Sequence, residues 1–234
     1  MKSRALLIFA DSAHTDCKRR GWPSAFSILL ESQSFSFDPC ENFDSHLFTS
    51  RESSRRARSS VKVHFQEGAS FGERLENAIE TLAQVGYQQI VIIGQDCPDL
   101  ELVDIRRAFE FLEKHRLVLG PDHRGGCYLI GFHASDAPRL TGVLWQQNTD
   151  FRQIRGRFAG DPVLQLPVKL DLDTWQDVWL LARSKNPLRT MARILLRSLL
   201  ALRPIAPSSV VARDSEQRIS WQLPPPLFLA SITA

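Results

Sequence analysis

The chain has 234 residues, 43% of them hydrophobic and 24% charged, enough apolar mass for one large α/β domain or a domain with an appendage. Its formal charge of +3 is unevenly placed: residues 1–179 carry 21 Lys+Arg against 24 Asp+Glu, whereas 180–234 carry 8 against 2. The body therefore lacks the basic footprint of a nucleic-acid-binding domain, and no nucleic-acid partner is expected.

In chain order, MKSRALLIFADSA imitates a signal peptide, but its apolar core at 5–10 is short and ends at Asp11. Residues 4–10 read instead as a buried parallel strand. A helix is expected over 22–31, with Pro23 tolerated in its first turn. SHLFTS at 45–50 reads as a strand, RESSRRARSS at 51–60 as a solvated loop, and VKVHFQ at 61–66 as a third strand. Phe71, Leu75, Ala78, Ile79, Leu82 and Val85 recur at helical spacing, and Gly86 closes that helix. QQIVIIGQD is a strand, 100–115 a helix, and RLVLGPD and GGCYLIGFH two further strands. Alternation of this kind predicts an α/β sandwich with a largely parallel sheet.

After LDLDTWQDVWLLA (170–182) the chain changes character. In NPLRTMARILLRSLLALRP, Arg189, Arg193 and Arg197 share one face and apolar residues the rest, a basic amphipathic helix over 187–203. It is expected to pack on the domain or on a second copy in a homodimer; the other reading is peripheral contact with an anionic membrane. An irregular tail follows from Pro204. The boundaries read as a domain over 1–183 and an extension over 184–234. Cys17, Cys40, Cys97 and Cys127 form no Cys-x-x-Cys pair, and no apolar run is long enough to cross a bilayer, so a cytoplasmic location is expected.

The chemistry gathers at strand ends, where open α/β sheets bind ligands. Asp96 ends VIIGQD, Asp122 sits in GPDHRGG, and Asp171 and Asp173 follow LPVKL, with Asp177 one turn on. Carboxylates brought together without a compensating lysine repel, and a divalent cation with oxygen ligands resolves that conflict. Capping is the competing explanation: Asp173 for the helix at 174–184, Asp99 for the helix after Pro98. Capping leaves the glycines beside the acids, Gly94, Gly120, Gly125 and Gly126, unexplained.

At GQDCPDL, GPDHRGGCYLIG, DLDTWQDVWLLA and QEGASFGERLENAI the chain resembles the GT-A-type nucleotide-diphospho-sugar transferase superfamily. More narrowly it is similar to bacterial glycosyltransferases of the arsenosugar-biosynthesis type, related to 2-phospho-lactate guanylyltransferase. The resemblance spans about residues 4–182. It implies a three-layer α/β/α fold with a mostly parallel sheet, here with a C-terminal helical extension. It further implies that Asp96 and Asp173 are the catalytic metal ligands for Mg²⁺ or Mn²⁺. Gly68, Gly72 and Arg74 would contact the nucleotide or steer its helix, while Asp122, Arg124, Gly125 and Gly126 would line the substrate end. Three departures stand out. ADSAHTDCKRRGWP replaces a Lys/Pro/Gly phosphate run, with Lys18, Arg19 and Arg20 as its cations; Arg124 stands where the family has Asp before Gly-Gly; and Ser70 replaces an acid. The expected activity is metal-dependent glycosyl transfer from a nucleotide-diphospho-sugar to a small-molecule acceptor. The alternatives are nucleotidyl transfer from a nucleoside triphosphate to a phosphorylated small molecule, or a catalytically degenerate binding protein on the same fold.

Overall fold

A computed structural model of the chain describes residues 4–31, 42–50 and 60–201. Cys40, nearly all of the Ser/Arg-rich loop (51–59) and the expected irregular tail lie outside the described residues. The chain divides into two compact units, Met1–Leu172 and Asp173–Ala234.

In the first unit, Arg4–Phe9 forms β1, and the full burial of Ala5, Leu6 and Leu7 explains its unbroken apolar run: both faces of the strand are covered. Six strands follow: β2 (Asp44–Thr49), β3 (Val61–Phe65), β4 (Gln89–Ile93), β5 (Leu117–Pro121), β6 (Cys127–His133) and β7 (Val163–Gln165). They form one sheet in the order β3-β2-β1-β4-β6-β5-β7. Strand β6 runs antiparallel to both its neighbours, and every other pairing is parallel.

Helix α1 spans Ala13–Arg19 and α2 Ser27–Glu31; α3 (Phe71–Val85), α4 (Leu102–Leu112) and α5 (Asp150–Arg157) follow. Helix α3 has the bounds its periodicity predicts. Ser70 accepts a hydrogen bond from the Glu73 N–H, and Gly86 ends the helix at φ 97°. Apolar residues of α3 and α5 pack on one face of the sheet with Leu7, Ile92, Leu119 and Ile130. Ile105, Ala108 and Phe109 of α4 pack on the other with Leu6, Val91 and Leu129. The three-layer α/β/α expectation is met.

Local structure departs from expectation at the next helix and adds one before it. The Ser12 side chain accepts from the Thr15 N–H and starts α1, a helix the sequence pattern did not mark. The helix expected at 22–31 is a 3₁₀ turn at Ser24–Phe26 followed by the five residues of α2.

The second unit holds α6 (Trp175–Arg183) and α7 (Arg189–Ala201). Helix α7 packs on α6, burying Ala192 and Leu196, and the Arg193 Nε donates to the Ala182 carbonyl at 2.6 Å. Arg189, Arg193 and Arg197 lie on the exposed face. No helix among the described residues is long and apolar enough to cross a membrane.

Candidate functional site

Strands β1, β4 and β5 point the same way, so Asp11, Asp96 and Asp122 emerge at one edge of the sheet. The segment after β7 crosses that edge. Its Leu166 N–H donates to the Leu119 carbonyl, its Lys169 N–H to the Pro121 carbonyl, and its Leu172 N–H to the Asp96 carbonyl at 2.8 Å. Lys169 is anchored twice more, by its Nζ donating to the Asp99 carbonyl (2.6 Å) and to the Asp104 carboxylate.

This crossing brings Asp171 to Asp96: each offers a carboxylate oxygen, and the two lie within 4.8 Å of one another. Gly94 permits the arrangement, because a Cβ there would stand 2.6 Å from the Asp96 Oδ1. Two carboxylates this close suit a small hard cation, and an all-oxygen donor set matches Mg²⁺ or Mn²⁺ rather than a softer metal. Asp171 was not among the ligands expected from the sequence. Asp173 opens the second unit, and capping does not account for it. The cap of α6 is Thr174, and the Asp173 N–H donates to the Asp177 Oδ2 at 3.0 Å. Asp177, 1% exposed, accepts in addition from the Thr174 N–H and hydroxyl, which makes it a structural acid. Nor does Asp99 cap α4, whose N-cap is Glu101 with Asp104 accepting from its N–H.

Of the three cations expected near a diphosphate, Arg20 is closest to the acids. Its Nη2 donates to the Asp96 Oδ2 at 2.7 Å, and its guanidinium stacks over the Trp22 ring at 5.5 Å. Arg19 pairs with Asp11 (3.4 Å) and with Asp16. Lys18 is exposed in the last turn of α1. Buried Asp16 also accepts from the Gln95 side chain. Burial pushes its carboxyl above the usual range, with Arg19, Arg20 and the Gln95 hydrogen bond opposing. Cys97, directly after Asp96, is buried, and burial with the Asp171 carboxylate holds its thiol protonated, so it is no nucleophile.

Gly68 leads into α3 at φ 137°, and a Cβ there would meet the Arg74 backbone nitrogen at 2.8 Å. A Cβ on Gly72 would stand 3.0 Å from Trp145. Both glycines therefore have a packing reason, whatever binds beside them; Arg74 is half-buried in the first turn.

The loop between β5 and β6 is built around Asp122, whose Oδ1 accepts from the N–H groups of Arg124, Gly125 and Gly126 at 2.7, 2.7 and 2.9 Å. It docks on the loop 145–150 through the Phe151 N–H and the Gly125 carbonyl (3.2 Å). In that second loop Gln146 and Asn148 hold positive φ. Asp150, which the sequence reading passed over, is 9% exposed, and its Oδ1 has no hydrogen-bond partner among the described residues. Burial and the neighbouring Asp122 charge push its pKa up to about 6, against hydrogen bonds from the Gln146 and Gln147 backbone. An acid whose folded pKa is raised from 3.8 to about 6 destabilises the fold as it ionises. The penalty is absent below the unfolded value and complete above the folded one. Asp150→Asn is therefore expected to stabilise the protein at pH 7 by about 1–3 kcal/mol, with the gain fading towards pH 4. Calorimetric melting at both pH values checks this.

A family model described as an uncharacterized protein conserved in bacteria (DUF2064) matches residues 40–147. No curated protein matches the chain. Among solved structures, one from Desulfovibrio desulfuricans G20, provisionally described as a nucleotide-diphospho-sugar transferase, is similar at 23% identity. It covers 86% of this chain and 97% of its own, with a TM-score of 0.69. A cytidylyltransferase from Leptospira borgpetersenii is similar at 14% identity (91% and 100% covered, TM-score 0.51). So is 4-diphosphocytidyl-2C-methyl-D-erythritol synthase from Anaerococcus prevotii, at 9% identity (76% and 94% covered, TM-score 0.51). With β6 reversed in an otherwise parallel sheet and acids collected at its edge, the chain has the α/β fold of nucleotide-diphospho-sugar transferases.

Proposed function

We propose that the protein is a transferase that uses a nucleotide-activated donor and a divalent cation, with glycosyl transfer from a nucleotide-diphospho-sugar as the leading form. The observation that carries this reading is the approach of the Asp96 and Asp171 carboxylates at the strand-end edge, with Arg20 already neutralising one of them. Asp96 and Asp171 would hold Mg²⁺ or Mn²⁺, and Asp173 remains the further oxygen donor proposed from the sequence. When bound, such a cation supplies Lewis-acid stabilisation of charge on the donor diphosphate.

The chain's own groups do the rest. Arg20 is the one cation of α1's end already directed at the carboxylates, and a diphosphate arriving beside Asp96 offers its guanidinium a second anionic partner. Lys18 stands free to add charge from solvent. Gly68, Gly72 and Arg74 at the start of α3 remain the proposed nucleotide contacts, and Gly125 and Gly126 the proposed contacts on the acceptor side. Arg124 beside them suits an acceptor with anionic character. Nucleotidyl transfer, with a phosphate-bearing acceptor attacking the α-phosphate, uses the same groups and is favoured by the fold likeness to cytidylyltransferases.

Calorimetric titration of sugar nucleotides and nucleoside triphosphates with and without Mn²⁺ tests the reading. Metal-dependent binding of one of them is the expected result, and no binding of any nucleotide refutes it. For a donor that binds, release of nucleoside diphosphate identifies glycosyl transfer and release of pyrophosphate nucleotidyl transfer.

A further inference from the structure

Between Asp177 and Asp214 the sequence holds seven Lys and Arg residues and not one Asp or Glu. A helix face built only for solubility mixes both signs, so that neighbouring turns pair and neutralise each other. Here the segment supplies no counter-charge of its own, and the proposed transfer reaction uses none of these cations.

The second unit shows where the described part of this charge lies. Arg183 ends α6, Lys185 follows in the connection, and Arg189 and Arg193 stand on successive turns of α7. All four are exposed, and among the described residues none of them pairs with a carboxylate. Arg197 continues the row, so the stripe runs about 12 Å along α7. Ile194, 54% exposed, borders the arginines.

The opposite side of α7 is already committed, with Ala192 and Leu196 buried in its packing on α6. The helix is therefore not free to roll over and sink into a bilayer. What it turns outward is fixed positive charge beside one aliphatic side chain. Nucleic acid is a poor match for that face. Helix α7 has no aromatic side chain on which a base could stack, and Ile194 gains nothing from a sugar–phosphate backbone. Anionic lipid answers both features: headgroup phosphates and carboxylates meet the cations, and the headgroup–acyl boundary receives Ile194.

We propose that the outward face of the second unit, from Arg183 to Arg197, is a docking surface for an anionic phospholipid membrane. The contact is electrostatic adsorption trimmed by one aliphatic side chain, without a membrane-spanning element. It uses none of the residues assigned to the transfer reaction, so its fate is independent of that reading.

The test is co-sedimentation of the full chain with phosphatidylcholine vesicles containing about one third phosphatidylserine, at about 0.1 M NaCl. Each cation held near such a surface strengthens binding roughly fivefold, so half-saturation is expected at about 1 mM accessible lipid or below. Binding should be at least roughly tenfold weaker on pure phosphatidylcholine, and again at about 0.5 M NaCl. Arg183→Gln, Lys185→Gln and Arg189→Gln together are expected to weaken it roughly 100-fold while the melting curve stays cooperative. Ile194→Ser, which a contact with nucleic acid would not feel, is expected to weaken it roughly two- to fivefold. Sedimentation that does not depend on phosphatidylserine overturns the proposal, whatever the variants do. So does unchanged vesicle binding by the folded triple variant or by Ile194→Ser. Nucleotide binding with Mn²⁺, measured on the same preparations without vesicles, reports separately on the transferase site.

Discussion

Asp96→Ala is expected to lower Mn²⁺-dependent nucleotide affinity by roughly 100-fold or more, because it removes a carboxylate from the proposed cation site. The fold should tolerate the change. Loss of the ion pair with Arg20, which is only 10% exposed, is offset by relief of repulsion between Asp96 and Asp171. Thermal stability without metal is therefore expected to move by less than about 2 kcal/mol. Calorimetry with nucleotide and Mn²⁺, beside a melting curve, separates the two effects. Asp171→Ala should reproduce the affinity loss. Unchanged metal-dependent affinity in both variants would remove these acids from the site.

Gly125→Ala is expected to be the costliest single-methyl addition in the described loops. The residue sits at φ 105°, and a Cβ there would stand 2.5 Å from the Asn148 carbonyl oxygen, backbone that no rotamer change can clear. Relief requires the 122–126 and 145–150 loops to part, which threatens the Phe151 N–H bond to the Gly125 carbonyl. Strain and a lost hydrogen bond together suggest about 2–4 kcal/mol, a fall in Tm of roughly 4–16 °C for a unit of this size. Scanning calorimetry reads this directly. Gly156→Ala, where nothing lies within 4 Å of the added methyl, is the control and should leave Tm unchanged or raise it slightly.

The sheet was legible because burial on both faces writes itself as unbroken apolar runs, as in ALLI of β1 and IVII of β4. Helix α3 was legible because its period, its Ser70 cap and its Gly86 stop agree. The start of α1 was missed because one serine cap ahead of a polar stretch looks like any loop. Helix α5 and β7 are short and only partly buried, so little apolar pattern marks them. At the site, Asp96 stood out from its place after a buried strand. Asp171 did not, because three acids lie within 171–177 and spacing alone does not say which of them approach Asp96. The approach of Asp171 is fixed by a tertiary hydrogen bond, from the Leu172 N–H to the Asp96 carbonyl. Asp150 was hidden for a related reason: only the docking of two loops buries it beside Asp122.

The strap of chain that ends in that hydrogen bond also sets an order of construction. As the polypeptide leaves the ribosome, Asp96 and Arg20 are both present long before Asp171 emerges, and they can neutralise each other while the central strands assemble. Closing the long loop from Asp96 to Asp171 adds only a slowly growing entropic cost. The proposed cation clamp would thus be completed by nearly the last stretch of the first unit, and a nascent chain stopped before residue 166 should carry its acid safely paired but be blind to manganese.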